Sequence, residues 1–597
     1  MKYELPLVHK VSDVRLGRDE SFDAWWYTFM AENNIEYGIN PEGVASPEQL
    51  RFMVALDADQ IYVPCSDAIF RALLENAKTG VMPQVLRHVY AGAWRHAIAT
   101  IMRLTPDVAS NSEVLRTRRK MRLFCRHRLR SSLALGNILP SRLVKRLMST
   151  LLMQNSREDP WKADKRRDNA AMADFLVSDI WLKSIDQLPS FATEGLAVSG
   201  LRHALNMTEL ARLVLFSAHG KPSLPPEWRS PEECQARIEE ILPVVEQVFS
   251  ASYDATSGDV SGKTLMFVCD SGGGIMADLP LLKALARQGH RIILSLKGSP
   301  LFKATTLWDC ESDPVLAEGV RGLPLIADQR LTKDSLLRHL AHNRIIVIND
   351  GTGELLNLYR TSTTFARAWK ECDAVIVKGR RQAEQVMDTS TEFTRDIFCY
   401  WREQDGEPKA HLLPRAAQVV RFGEADLIHH ADQIIETMRQ ARAEGLTVMF
   451  YSCIIGSVPG ETRTAIRIAT EFVAYLRDRL DQVLIINPAE HFVPGMDADD
   501  LMFMWERVQR SGLIQTWRFQ TTDDIEQSFA LMHLKVPPLW TGKDATYSTG
   551  CTKEMRIALD MQRSHPEMQI LGPAVDKFFR RGEYGVGKFY DAALPQM

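Results

Sequence analysis

The chain has 597 residues, 45% of them hydrophobic and 25% charged, with a net charge of −3. That length exceeds what one hydrophobic core serves and implies two to four domains, and the composition excludes a disordered or fibrous protein. No apolar run approaches the roughly 18 residues of a membrane span, so no membrane partner is expected.

The first twenty residues carry early acids and no continuous apolar stretch, unlike a secretory leader. Nine cysteines are scattered without a CxxC pair, which predicts reduced thiols, a cytoplasmic protein and no metal held by cysteine.

Residues 1–250 read as mostly helical, with apolar residues at three- and four-residue spacing in Phe22–Met30, Ala68–Leu74 and Val85–Met102. Between Arg116 and Arg146 stand eleven Lys or Arg residues and no acid. This block either contacts a polyanion or is a solvated helix face with Leu115, Phe124, Leu129 and Leu133 turned to a core. The second reading is preferred, because one basic stripe without interleaved exposed aromatics is ordinary surface. A turn-rich stretch over 219–233 precedes a further helix, Ala236–Phe249.

From 263 onward short β-branched runs alternate with helical segments. Strands are predicted to begin near Lys263, Arg291, Arg344 and Asp373 and to share one mostly parallel sheet. After a helix over 427–444 the alternation restarts with LTVMFYSC and continues to about 572. The expected architecture is α/β: a helical N-terminal region with the basic segment (1–150), a central domain (151–425) and a second, Rossmann-like α/β domain (440–597). Within the central domain, 151–250 is helical and 260–425 carries a mostly parallel sheet with flanking helices.

In an open parallel sheet ligands bind beyond the carboxyl ends of the strands. Three such ends carry suggestive residues: Cys269-Asp270-Ser271-Gly272-Gly273-Gly274, Lys297-Gly298-Ser299-Pro300 and Lys378-Gly379-Arg380-Arg381. Glycines let a backbone approach an anion, helix N-terminal amides point at it, and a lysine neutralises it. Each alone reads as a tight turn; three at the tips of one sheet point to an anion site.

The C-terminal region offers weaker candidates. The Gly/Thr/Ser/Lys loop 541–559 has the composition of a phosphate-binding turn. Gly456–Thr462 is one residue short of a P-loop and has Glu461 where lysine is required. Asp497, Asp499 and Asp500 read as acids of a helix N-terminus. Cys551 reads as a small residue at a helix start, and the pairs His339/His342 and His429/His430 as surface residues.

Order and spacing carry a family resemblance. DPWKADKRRDNAAMADFL (159–176), CDSGGGIMADLPLLKAL, LSLKGSPLFKATTL and NLYRTSTTFARAWKECDAVIVKGRRQAEQV (357–386) together resemble the core of damage-control phosphatases, the metal-dependent α/β family also called acidic-residue-methyltransferase-like. The resemblance implies a Mg²⁺, Mn²⁺, Co²⁺ or Ni²⁺ ion that polarises a phosphate ester and helps water attack it.

Carried over residue by residue, the resemblance makes Asp270 the first metal aspartate and Lys378 the phosphate lysine, both catalytic. Ser271, Gly272, Gly273, Gly274, Lys297 and Gly379 contact phosphate, and Asp350 is a further candidate ligand. This sequence departs from the family pattern at Ser271, where asparagine is usual, and at Gly274, where glutamate is usual. It also has Lys303-Ala304 in place of an Asn-Asp pair, and Leu201 near Gly200 in place of an asparagine. Asp309, Asp313, Asp350 and Glu354 are candidate replacement ligands.

The expected function is that of a metal-dependent, phosphatase-like protein hydrolysing a small phosphorylated metabolite. The alternatives are a catalytically degenerate member that binds a phospho-ligand or nucleotide as a scaffold or regulatory module, and, on architecture alone, a two-domain glycosyl-transfer enzyme.

Overall fold

The computed structural model describes residues 5, 8–33, 52–53, 63–103, 111–154, 159–184, 197–250, 252–253, 260–270, 274–417, 419, 422–458, 461–491, 496 and 498–579. Contacts divide the chain into two compact units, Met1–Val419 and Val420–Met597.

The first unit opens with helices α1 (Glu20–Asn33), α2 (Asp67–Thr79), α3 (Gln84–Arg103), α4 (Asn111–Leu135) and α5 (Pro140–Gln154). Their apolar faces meet in one cluster around Trp25, Trp26, Phe29 and Phe70. Helices α6 (Lys162–Leu176), α7 (Asp179–Lys183), α8 (Val198–His219) and α9 (Pro231–Phe249) lead to a two-residue ribbon, β1 (Ser252–Tyr253) and β2 (Val260–Ser261). Ser66 and Ser230 cap α2 and α9 by accepting the amides of Ile69 and Glu233, the side-chain chemistry that fixes a helix start.

The main sheet begins at β3 (Thr264–Val268), followed by helix α10 (Ile275–Arg287) and β4 (Arg291–Leu296). Then come α11 (Leu307–Ser312), α12 (Pro314–Gly319), β5 (Leu325–Ile326), α13 (Lys333–His342) and β6 (Ile345–Asn349). The last stretch holds α14 (Thr363–Glu371), β7 (Ala374–Lys378), α15 (Arg380–Met387), β8 (Asp396–Arg402) and β9 (Pro408–Leu413).

The strand order is β5-β6-β4-β3-β7-β8-β9. All neighbours are parallel except the β8–β9 edge pair. The four predicted strands are β3, β4, β6 and β7, in one sheet. Alternate side chains feed opposite faces: Leu265 and Phe267 pack with α8, α9 and α10, whereas Met266 and Val268 pack with α13, α14 and α15. Burial on both faces is why these strands read as continuous apolar runs.

The second unit has α16 (Glu424–Ala443), β10 (Thr447–Ser452), α17 (Thr462–Arg477), β11 (Val483–Ile486), α18 (Ala498–Gln509) and β12 (Thr516–Phe519). It ends with α19 (Thr522–Leu531), α20 (Thr549–Ser564), β13 (Gln569–Leu571) and a short α21 (Val575–Phe579). Its sheet, ordered β11-β10-β12-β13, is wholly parallel. No helix among the described residues is long and apolar enough to cross a membrane.

Candidate functional site

Strand β3 connects through α10 to β4 on one side of it, while β7 pairs on its other side. The chain therefore leaves the tips of β3 and β7 in opposite directions, and a crevice opens between them. Val268 is opposite Val377, so Asp270 and Lys378-Gly379 emerge side by side.

The glycines report how close they come. Gly379 has φ 92°, and a Cβ there would run into the Asp270 carboxylate. Gly274, at φ 90°, begins α10, and a Cβ there would lie 3.4 Å from Lys378 Nζ. Only glycine takes these left-handed angles without strain. Asp270, Gly274, Lys378 and Gly379 thus converge on one spot at the N-terminus of α10. Ser271, Gly272 and Gly273 lie outside the described residues.

Lys378 is buried and donates to Asp278 Oδ1 at 2.6 Å. Asp278, in the first turn of α10, also accepts from Ser217 Oγ of α8 at 2.6 Å. The Ser217 proton being committed there, the Tyr400 hydroxyl of β8 donates to Ser217 Oγ, again at 2.6 Å. Burial pushes the Asp278 carboxyl up to about 6 despite Lys378 and Ser217, and the nearby charge of Asp270 adds to the rise. Burial likewise holds the Tyr400 phenol well above its usual range. Sequence reasoning gave Asp278 no role of its own and missed Ser217 and Tyr400. The available signals were an acid within the apolar IMADLPLL run and a tyrosine within the apolar IFCYW strand.

The neighbouring strand tips hold a second lysine–aspartate pair. Lys297 donates to Asp350 Oδ2 at 2.6 Å with both side chains sealed from solvent. Asp350 further accepts from the Gly298 amide (3.0 Å), the Thr352 amide (2.8 Å) and Thr352 Oγ1 (3.0 Å). Lys297, expected to face a phosphate, and Asp350, expected as a further metal ligand, are therefore committed to each other.

The other replacement ligands are engaged too. Asp309 pairs with Lys165 at 2.5 Å, and Lys165 also meets Asp159 at 2.6 Å. Asp313 accepts from Asn169 Nδ2 at 2.9 Å. Glu354 sits between Arg142 (3.8 Å) and Arg360 (3.7 Å). Lys303 pairs with Asp168, which balances its charge.

This donor set does not fit a resident divalent cation. Among the described residues no three His, Cys, Asp or Glu side chains group as ligands. Asp313 is engaged by the Asn169 amide and the Val315 N–H rather than by a cation, and Asp270 is left as a single carboxylate at the strand tip, too few anionic ligands for a hard divalent ion.

A helix N-terminus, two glycines at positive φ and a lysine thus meet where β3 and β7 diverge in a mostly parallel α/β domain. A model of the damage-control phosphatase ARMT1-like domain matches residues 91–402, more than half of the chain, and the chain belongs to that family. Among solved structures, a DUF89 family protein from Pyrococcus horikoshii is similar at 15% sequence identity, covering 53% of this chain and 90% of that one with a TM-score of 0.33. No curated protein matches.

Proposed function

We propose that the central domain is a phosphatase-like module that recognises a small phosphorylated metabolite by its phosphate, at the divergence of β3 and β7. The observation that carries this reading is the convergence of Gly274, Gly379 and Lys378 at the start of the thirteen-residue helix α10. Backbone amides, the positive end of the helix dipole and an ammonium all favour an anion there. Asp278 sets the strength of the site, because it competes with the ligand for Lys378.

Metal-dependent hydrolysis is the second reading. What favours it is Asp270, which keeps a carboxylate next to the lysine-glycine turn of β7.

One pair of measurements separates the two. Inorganic phosphate and a set of phosphorylated metabolites are titrated calorimetrically with and without Mg²⁺, Mn²⁺, Co²⁺ and Ni²⁺, on the wild type and on Asp270→Asn. Phosphate recognition without metal predicts binding in chelator, and tighter binding by Asp270→Asn, since a carboxylate beside the phosphate is removed. Cation-dependent turnover that Asp270→Asn abolishes would instead establish the hydrolase. Absence of binding to Lys378→Met is expected in either case, and retained binding in that variant would overturn both.

A further inference from the structure

The basic block between Arg116 and Arg146 divides in the structure into two parts with opposite fates. Its second half, on α5, is turned inward: Arg142 faces the buried Glu354, Lys145 lies 3.4 Å from Ser299 Oγ, and Arg146 reaches Ser132 Oγ and the Glu32 carbonyl. Its first half, on α4, faces out. Met121 (2% exposed), Cys125 (0%) and Ser132 (1%) form the buried face, and seven cations on the rest of the helix are exposed: Arg116, Arg119, Lys120, Arg122, Arg126, Arg128 and Arg130. Arg118 and Arg122 lean on the end of α3 at Met102. Among the described residues none of the seven is paired with a carboxylate.

The expectation that Leu115 and Phe124 turn to a core is corrected: they are 65% and 42% exposed, as is Leu123 at 61%. Leu129 and Leu133 do pack against the core, while one exposed aromatic, Phe124, and two exposed leucines stand among the cations. Arg116, Arg119, Leu123, Arg126 and Arg130 follow the three–four spacing of a single face, a stripe about 21 Å long at 1.5 Å per residue. Lys120 Nζ lies 5.9 Å from the Phe124 ring centre.

We propose that the exposed side of α4 docks single-stranded nucleic acid, the arginine row neutralising successive phosphates and Phe124, which flanks that row beyond Lys120, offering a ring on which a base turned around the helix stacks. Arginine suits phosphate because its planar fork donates two hydrogen bonds at once. A groove of cations with an aromatic platform is the sequence-tolerant mode of single-strand binding. A membrane surface fits less well: an interfacial helix segregates its apolar residues from its cations, whereas here Leu123 lies within the arginine row.

Fluorescence anisotropy with labelled twenty-residue oligouridylate and oligothymidylate over rising KCl tests the proposal. Phosphate contacts by the four arginines of the stripe, Arg116, Arg119, Arg126 and Arg130, predict a slope of log K against log salt of about −2.8, at roughly 0.7 per contact. Arg119→Gln/Arg126→Gln/Arg130→Gln flattens that slope by about 2 and weakens binding at least about tenfold at low salt. Phe124→Ala lowers affinity roughly five- to a hundredfold with the slope unchanged. Circular dichroism melting stays at the wild-type temperature in both variants. No binding at the lowest salt, or undiminished binding by the triple variant, overturns the proposal. So does binding to phosphatidylserine vesicles without binding to either oligonucleotide.

Discussion

Two lysine–aspartate pairs stand at the carboxyl edge of the same sheet, alike in length and burial but different in what surrounds the carboxylate. Lys297–Asp350 and Lys378–Asp278 are both 2.6 Å and both buried. Asp350, however, is surrounded by neutral donors, the amides of Gly298 and Thr352 and the Thr352 hydroxyl. Asp278 has one neutral donor, Ser217, and faces the like charge of Asp270. A buried ion pair is stable when the remaining lone pairs are satisfied and precarious when they are not. The first pair is a rivet joining the β4 and β6 turns. The second, on the proposed reading, holds a cation whose charge a ligand can claim.

The largest effect should come from breaking the rivet. Asp350→Ala leaves Lys297 buried without a counter-charge and the Thr352 amide without its acceptor, while the Gly298 amide keeps the Thr352 carbonyl, and should cost about 3–5 kcal/mol in urea unfolding. Lys297→Met/Asp350→Leu, which removes both charges, should recover most of that loss. Phosphate binding by the double variant should equal that of the wild type. Lost binding would return Lys297 to the phosphate site and dissolve the contrast between the pairs.

A smaller, pH-dependent effect belongs to the other pair. The folded Asp278 carboxyl titrates at about 6 against an ordinary 3.8, so the folded chain holds a proton that the unfolded chain has released. Its contribution is present below pH 4 and disappears as pH rises through 6, amounting to at most roughly 3 kcal/mol for a shift of this size. Wild type compared with Asp278→Asn by urea unfolding at about pH 4, 5, 6 and 7 should show that fall, and a flat difference would remove the strain assigned to this pair. Sulfate, whose charge is constant over this range, should bind more tightly below pH 6, where protonated Asp278 releases Lys378.

Gly379→Ala comes next. It combines a left-handed φ with a Cβ directed into the Asp270 carboxylate, and should cost about 1–3 kcal/mol of stability and displace Asp270. Phosphate affinity should fall with it. A variant as stable as wild type, with unchanged affinity, would contradict the close packing of the β3 and β7 tips on which the site depends.

Much of the fold was legible because it rests on local periodicity. Strands β3, β4, β6 and β7 are apolar and bounded by turns, and the helices between them carry apolar residues at helical spacing, α10 being buried on most sides. The site was legible only in part. Asp270, Lys378 and Gly379 were visible as strand tips, but the partner of Lys378 is one hundred residues away in sequence and depends on the register of β3 against β7. Nothing local distinguishes Lys297 from Lys378, since each ends an apolar run and precedes a glycine. Helix α4 misled for another reason. Its apolar residues mark two faces, and the larger ones, Leu115, Leu123 and Phe124, lie outside while Met121 and Cys125 pack within.

The smallest effect should be at Lys303. It occupies the position where the family carries an asparagine, and a cation there would be expected to oppose a ligand-bound metal. Its ammonium is instead paired with Asp168 of α6, with both partners partly in solvent. An exposed pair of this kind contributes no more than about 1 kcal/mol, and less at high salt. Lys303→Ala should therefore leave phosphate affinity unchanged, with or without divalent metal, and shift the urea midpoint only slightly. If that substitution instead created metal-dependent phosphate binding, Lys303 would be the residue that keeps a cation out of Asp270, and the poor fit to metal would be an exclusion rather than a shortage of ligands.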